Sequence, residues 1–215
     1  MICVSIANVD YEECQTLLSE KEITIAEIRL DQLSFTPTEI HTIFAGHNDL
    51  IATYRPGKID EEDRKQVLIK AVESGAAYVD LEMETDAEFK SAVIASCRRN
   101  NCKVIISYHN YEETPIRKEL RKIVDDCFDM GADIAKVACQ VKLESDSARI
   151  ISLYDKADLA KGSLIAIGMG EKGKITRAAI PLLGAPFTYA SLAAGMETAP
   201  GQLDKLMLEK IFKLI

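Results

Sequence analysis

With 215 residues, 47% of them hydrophobic and 28% charged, the chain is long enough to bury a substantial core, and no break in composition divides it. A net charge of -8 argues against nucleic acid and anionic membranes as partners, since both require a basic face, while leaving room for a small anion at a local arginine cluster. The six cysteines lack CxxC or CxxH spacing, so neither a zinc site nor a disulfide framework is expected, and no run approaches the length of a membrane span. The opening "MICVSIANVDYEEC" has no signal-peptide pattern, and reduced thiols in a cytoplasm are the plain expectation.

Taken in chain order, eight short runs rich in Ile, Val and Ala read as β-strands: "ICVSIA" (2–7), "TIAEIRL" (24–30), "LIATY" (50–54), "AYVDLE" (77–82), "KVIISY" (103–108), "DIAKVA" (133–138), "SLIAIG" (163–168) and "FTYAS" (187–191). Helical punctuation lies between them. Asp60 is placed to cap a helix running to Gly75, with acidic residues in its first turn and glycine at its stop. Thr85 and Glu88 have capping-box spacing, and Thr114-Pro115 reads as a cap followed by proline at the first helical position, with Gly131 as the later stop. His41 and His47 fall on the second helix and its end, where no larger role is expected.

Strands and helical segments alternating eight times, at a period of roughly 20 to 30 residues, call for an α/β fold with a parallel sheet. The expectation is a single-domain (β/α)8 TIM barrel over residues 1–215. An open doubly wound sheet, with its usual five or six strands, fits the count less well.

Polar residues gather toward the C-terminal ends of these strands: Ser5, Glu27, Arg29, Arg55, Glu82, His109, Lys136, and Met169 among glycines. In a barrel that end carries the active site. Alternation in "TIAEIRL" sends Glu27 and Arg29 to one face and Ala26, Ile28 and Leu30 to the other. Taken alone, Glu27 and Arg29 read equally well as an internal ion pair, and Glu82 as a carboxylate at a helix start beside Thr85.

Lys136 stands inside an apolar run, where an ammonium is costly unless it is paired or loses its proton. An ordinary lysine is neutral in only about one molecule in two thousand at pH 7, whereas a dry strand and nearby arginines both favour the neutral amine. Such an amine can attack a ketone to form a Schiff base. The imine then acidifies the adjacent C–H, and His109, at the end of the preceding strand, is the candidate general base. Arg55 and Arg177 fit no ordinary helical ion-pair pattern, so a carboxylated substrate is their natural ligand.

The motifs "EIRLD", "ATYRP", "DLE", "ISYHNY", "AKVA", "IGMGEKGKITR" and "TAPGQ" occur in the order found in type I 3-dehydroquinate dehydratases, and the chain resembles that family over nearly its whole length. The resemblance implies a (β/α)8 barrel, usually a homodimer, that dehydrates 3-dehydroquinate to 3-dehydroshikimate without metal or added cofactor. It implies that Lys136 forms the imine at the C3 ketone, while His109 removes the C2 proton and helps expel the C1 hydroxyl. Glu27, Arg29 and Arg55 would hold ring hydroxyls and carboxylate, and Arg177 the carboxylate, with Gln202 closing over it. Ser5 matches a substrate-contacting serine, and Thr198 stands where serine is frequent. "SLAAGME" is longer than usual, leaving the aromatic wall between Phe187 and Tyr189. "PGKIDEED" does not clearly supply the glutamate that some members place near the histidine, which leaves Glu82 or Asp80 to orient His109. Met169 would pack on the substrate, and "EKGK" and "METAPGQ" read as a lid.

Three rival readings remain. "GMGEKG" satisfies GxGxxG, but lies late in the chain and lacks the acidic ribose ligand further on, so it reads as a flexible glycine loop. A lysine aldolase acting on a sugar phosphate would use the amides of the same loop. A silent barrel kept for ligand sensing would need no amine nucleophile.

Overall fold

The computed structural model describes residues 1–47, 49–155 and 162–214. Among them the chain forms nine β-strands and eight α-helices, grouped in two compact units: Cys3–Ile105, and Ile106–Ile215 with Met1–Ile2.

In the first unit β1 (Ile2–Ile6), β2 (Ile25–Arg29), β3 (Leu50–Thr53) and β4 (Tyr78–Glu82) pair in parallel in that order. The register sets Ser5 beside Glu27 and Glu27 beside Ile51, and it aligns Arg29, Thr53 and Asp80 across three strands. These strands are buried almost throughout, which is why they read as continuous apolar runs. Helices α1 (Tyr11–Leu18), α2 (Pro37–Gly46), α3 (Glu61–Glu73) and α4 (Ala87–Arg99) intervene. Asp10, Thr36 and Asp60 cap the first three, and Thr36 forms a full capping box with Glu39. At the end of α3 Gly75 takes a φ of +113°, and a Cβ there would meet the Phe44 carbonyl oxygen at 2.9 Å. Glycine is required on both counts.

In the second unit β5 (Lys103–Asn110) enters from the first; β6 (Ile134–Gln140) and β7 (Ser163–Met169) pair in parallel over all seven residues, and β8 (Thr188–Ser191) pairs with a two-residue β9 (Leu203–Asp204). Helices α5 (Arg117–Asp129), α6 (Glu144–Ile151), α7 (Lys174–Ala179) and α8 (Lys205–Phe212) belong to this unit. Gly131, just past α5, has a φ of +98° and ends that helix as the sequence suggests.

The eight expected strands are all present, and β9 is the addition. Two helix starts differ from expectation. Asp86, rather than Thr85, caps α4: its Oδ1 accepts from the Glu88 and Phe89 amides, while the Thr85 hydroxyl is engaged with Arg64 and Glu82. Thr114 spends its hydroxyl on the Gln140 carbonyl, and α5 begins at Arg117, so Pro115 precedes the first turn. No helix among the described residues is long and apolar enough to cross a membrane.

Candidate active site

Lys136 is the third residue of β6, earlier in its strand than a reading that ends at Ala138 suggests, because pairing with β7 continues to Gln140. It is only 6% exposed, and its Nζ lies 4.1 Å from the centre of the Tyr189 ring on β8. Phe187 is fully buried and meets Tyr189 edge-on at 5.5 Å, so Tyr189 is the aromatic residue that faces the amine. A ring face at that distance stabilises a nearby cation, whether ammonium or iminium.

His109 lies near the end of β5, half-buried and stacked on the exposed ring of Tyr111 with centroids 6.1 Å apart. Strand β5 neighbours β6.

Arg177, on α7, is 2% exposed. Among the described residues its guanidinium makes only long hydrogen bonds, to the carbonyls of Tyr189 at 3.5 Å and Pro200 at 3.4 Å, and its buried Nε finds no partner there. Among the described residues no carboxylate pairs with it, and burial pushes its pKa down to about 10. A buried cation left short of acceptors is complementary to an anionic ligand.

Beside Arg177 the "TAPGQ" turn is locked internally. The Gln202 Oε1 accepts from the Thr198 amide at 2.7 Å and its hydroxyl at 3.2 Å. The turn is also docked on the loop after β7: Gly170 donates its amide to the Pro200 carbonyl, and a Cβ on Gly201 would stand 2.3 Å from the Gly170 oxygen. Gly168 and Gly173 approach equally closely, since a Cβ on Gly173 would lie 2.4 Å from the Gly168 carbonyl. The glycines expected to form a flexible loop serve close backbone packing instead. Met169 is buried at the end of β7.

In the first unit Glu27 is buried and accepts from Ser5 Oγ at one oxygen and Thr53 Oγ1 at the other, each at 2.9 Å. Arg29 forms a forked pair with Asp31 at 2.9 and 2.8 Å, because the bend after β2 returns Asp31 toward the guanidinium, so the alternative of a direct pair with Glu27 is not what the structure shows. Burial lowers the Arg29 pKa, but the Asp31 bond and the Glu27 charge outweigh it and raise it overall. Arg55 Nη1 bonds Asp80 at 2.9 Å and Glu82 at 2.6 Å; burial again opposes the charge, and the two carboxylates hold the pKa well above its usual value. Glu82 gives its other oxygen to Arg64 at 3.1 Å. Both carboxylates offered for orienting His109 are therefore ligands of Arg55.

Thr53, Asp31 and Arg64 were not singled out by sequence reasoning. Thr53 and Asp31 look like an ordinary strand threonine and a turn aspartate, and Arg64 lies in a helix of alternating charge, so none carries a distinguishing signal. Within "IDEED" Asp60 caps α3, Glu61 pairs with Arg64 and Glu62 with Lys65, so the acidic run is engaged at the helix start. All six cysteines are buried; burial raises Cys14 and Cys139 to about 12, beyond useful nucleophilicity.

A model of the family described as Type I 3-dehydroquinase matches residues 2–215. The chain is 34% identical to the 3-dehydroquinate dehydratase of Methanococcus maripaludis strain C7 over 224 residues, covering all of both chains. It is also 34% identical to that of Methanocaldococcus jannaschii over 223 residues, covering 100% of this chain and 99% of the relative. Among solved structures, the 3-dehydroquinate dehydratase of Aquifex aeolicus VF5 matches with a TM-score of 0.80 at 27% identity, over 100% of this chain and 96% of that one. The type I enzyme of Clostridium difficile, solved with covalently modified comenic acid, matches with a TM-score of 0.85 at 22% identity, over 99% of this chain and 90% of that one. The fold class is thus the (β/α)8 barrel expected from the repeat of strand and helix. By the match along its whole length, the chain belongs to the type I 3-dehydroquinase family.

Proposed function

We propose that the chain dehydrates 3-dehydroquinate to 3-dehydroshikimate in the shikimate pathway, through a Schiff base on Lys136 with His109 as general acid and base. The names of its relatives support the overall reaction. The observation that carries the mechanism is the burial of Lys136, an amine held on an apolar strand against an aromatic face.

The neutral amine attacks the C3 ketone, and loss of water gives the iminium. Its positive charge draws electrons from C2, and the His109 imidazole takes the C2 proton to leave an enamine. Collapse of the enamine expels the C1 hydroxyl, which leaves as water with the proton returned by His109. Hydrolysis of the conjugated iminium consumes the first water, frees the product and restores the amine, so one water is lost overall. The Tyr189 ring favours the cationic imine.

Arg177 supplies the substrate carboxylate with the partner it lacks, and Gln202, with Thr198, stands beside it. Glu27, Arg29 and Arg55 take the ring hydroxyls and carboxylate in the roles the resemblance assigns, with Ser5 and Thr53 fixing the Glu27 carboxylate. Met169 packs on the ring. The enzyme acts in the cytoplasm as a homodimer.

The sugar-phosphate alternative is disfavoured by the loop it requires. The amides of Gly168, Gly170 and Gly173 are bonded to Thr176 Oγ1, the Pro200 carbonyl and the Gly170 carbonyl, respectively, so they do not point at a ligand. Incubation with 3-dehydroquinate, followed by the near-ultraviolet absorbance of the conjugated product, tests the reading. Turnover that is lost in Lys136→Ala and resists added inorganic phosphate is expected; an inactive wild type, or an active Lys136→Ala, would overturn it.

A further inference from the structure

Arg64 is 1% exposed, and both terminal nitrogens of its guanidinium are engaged, while its buried Nε has no hydrogen-bond partner among the described residues. Nη1 donates to Glu82 Oε2 and to the Tyr54 carbonyl, each at 3.1 Å. Nη2 donates to Glu61 at 2.8 Å and to Thr85 Oγ1 at 3.3 Å, while the guanidinium carbon lies 4.4 Å from the centre of the Phe89 ring. Burying a guanidinium is costly, and an apolar side chain would fill the space between α3 and α4 at lower cost if packing were the only requirement.

Its two Nη1 contacts converge on one neighbour. Tyr54 is the residue immediately before Arg55, and Glu82 is a carboxylate that Arg55 itself binds through the opposite oxygen. We infer that Arg64 is a positioning residue for substrate binding, clamping the backbone at Tyr54 and the Glu82 carboxylate so that the Arg55 guanidinium is held in a single orientation.

The inference rests on the proposed role of Arg55 as a substrate-binding cation. Glu82 shares its two oxygens between two arginines. With Arg64 removed, both oxygens become available to Arg55, and a forked pair with Glu82 would draw the guanidinium away from a ligand. Lysine cannot replace Arg64, because an ammonium lacks the planar fork that reaches Glu82, Tyr54, Glu61 and Thr85 together.

The test is a double-mutant cycle on the full-length enzyme with Arg64→Met and Arg55→Lys, reading half-saturation by 3-dehydroquinate, kcat and thermal midpoint. For slow variants half-saturation is read from the concentration dependence of borohydride trapping. Arg64→Met alone is expected to raise KM about tenfold with kcat changed less than about threefold, and to add less than about twofold in the Arg55→Lys background. A merely structural arginine would lower the thermal midpoint equally in both backgrounds and leave the KM effects multiplicative. An unchanged KM in Arg64→Met, or the same KM rise in both backgrounds, would overturn the inference. Should Arg64→Met not fold, Arg64→Lys carries the same cycle with the buried charge kept. If Arg55→Lys by itself leaves half-saturation unchanged, the role of Arg55 fails, and the failure is separable from that of Arg64.

Discussion

The side-chain nitrogen of Lys136 stands 4.1 Å from the centre of the Tyr189 ring, and both side chains are buried. A desolvated cation on an aromatic face is stabilised by about 1–2 kcal/mol. If the ring acts on the iminium, Tyr189→Leu should lower kcat by roughly 5- to 30-fold while trapping at Lys136 persists, and Tyr189→Phe should retain most of the rate. Steady-state kinetics on the two variants check this, and equal losses in both would shift the effect from the ring to the hydroxyl.

Arg177 has a folded pKa near 10 against an ordinary value of 12.5, so its buried charge costs the ligand-free protein about 3 kcal/mol. The unfolded chain keeps the proton to higher pH than the folded one. The cost is therefore complete at every pH below about 10 and fades as the pH rises through that value. Arg177→Met should raise the ligand-free thermal midpoint at pH 7 by roughly 10 °C, and the gain should shrink above about pH 10. The same variant should bind 3-dehydroquinate about a hundredfold more weakly. Melting curves against pH and half-saturation measurements test the two halves separately; a less stable variant would contradict the account.

Gly201 takes a φ of +71°, with space for a Cβ closed by the Gly170 carbonyl at 2.3 Å. Gly201→Ala should cost about 2 kcal/mol and lower the thermal midpoint by roughly 5 °C. Because Gln202 adjoins it, KM should rise as well. A variant with wild-type melting and kinetics would show that the two loops are not docked as described.

The strand–helix repeat was legible in the sequence because parallel strands buried on both faces read as unbroken apolar runs, and "IAKVACQ" is the clearest case. Cap positions were less so. Thr85 and Asp86 are adjacent candidates, and only the backbone decides which oxygen meets the free amides. The two-residue β9 has no periodicity to detect. At the candidate site, Lys136 stood out because an ammonium in an apolar run demands an explanation, and Arg177 because no helical partner was in reach. Asp31 and Arg64 were invisible for the opposite reason, since a turn aspartate and a helical arginine are the commonest of surface residues, and only tertiary structure brings them to Arg29 and Glu82.

Removing the base should separate imine formation from elimination. His109→Ala is expected to lower kcat by about 10²- to 10⁴-fold while adduct formation on Lys136 continues at a reduced rate. Rapid-quench trapping beside steady-state turnover distinguishes the steps, and turnover at the wild-type rate would remove His109 from the mechanism.

The most direct measurement is borohydride reduction of the enzyme in the presence of 3-dehydroquinate, followed by peptide mapping. The account predicts one stable adduct, on the peptide carrying Lys136 and absent from Lys136→Ala. An intact, active enzyme that yields no adduct, or one modified at a different lysine, would contradict it.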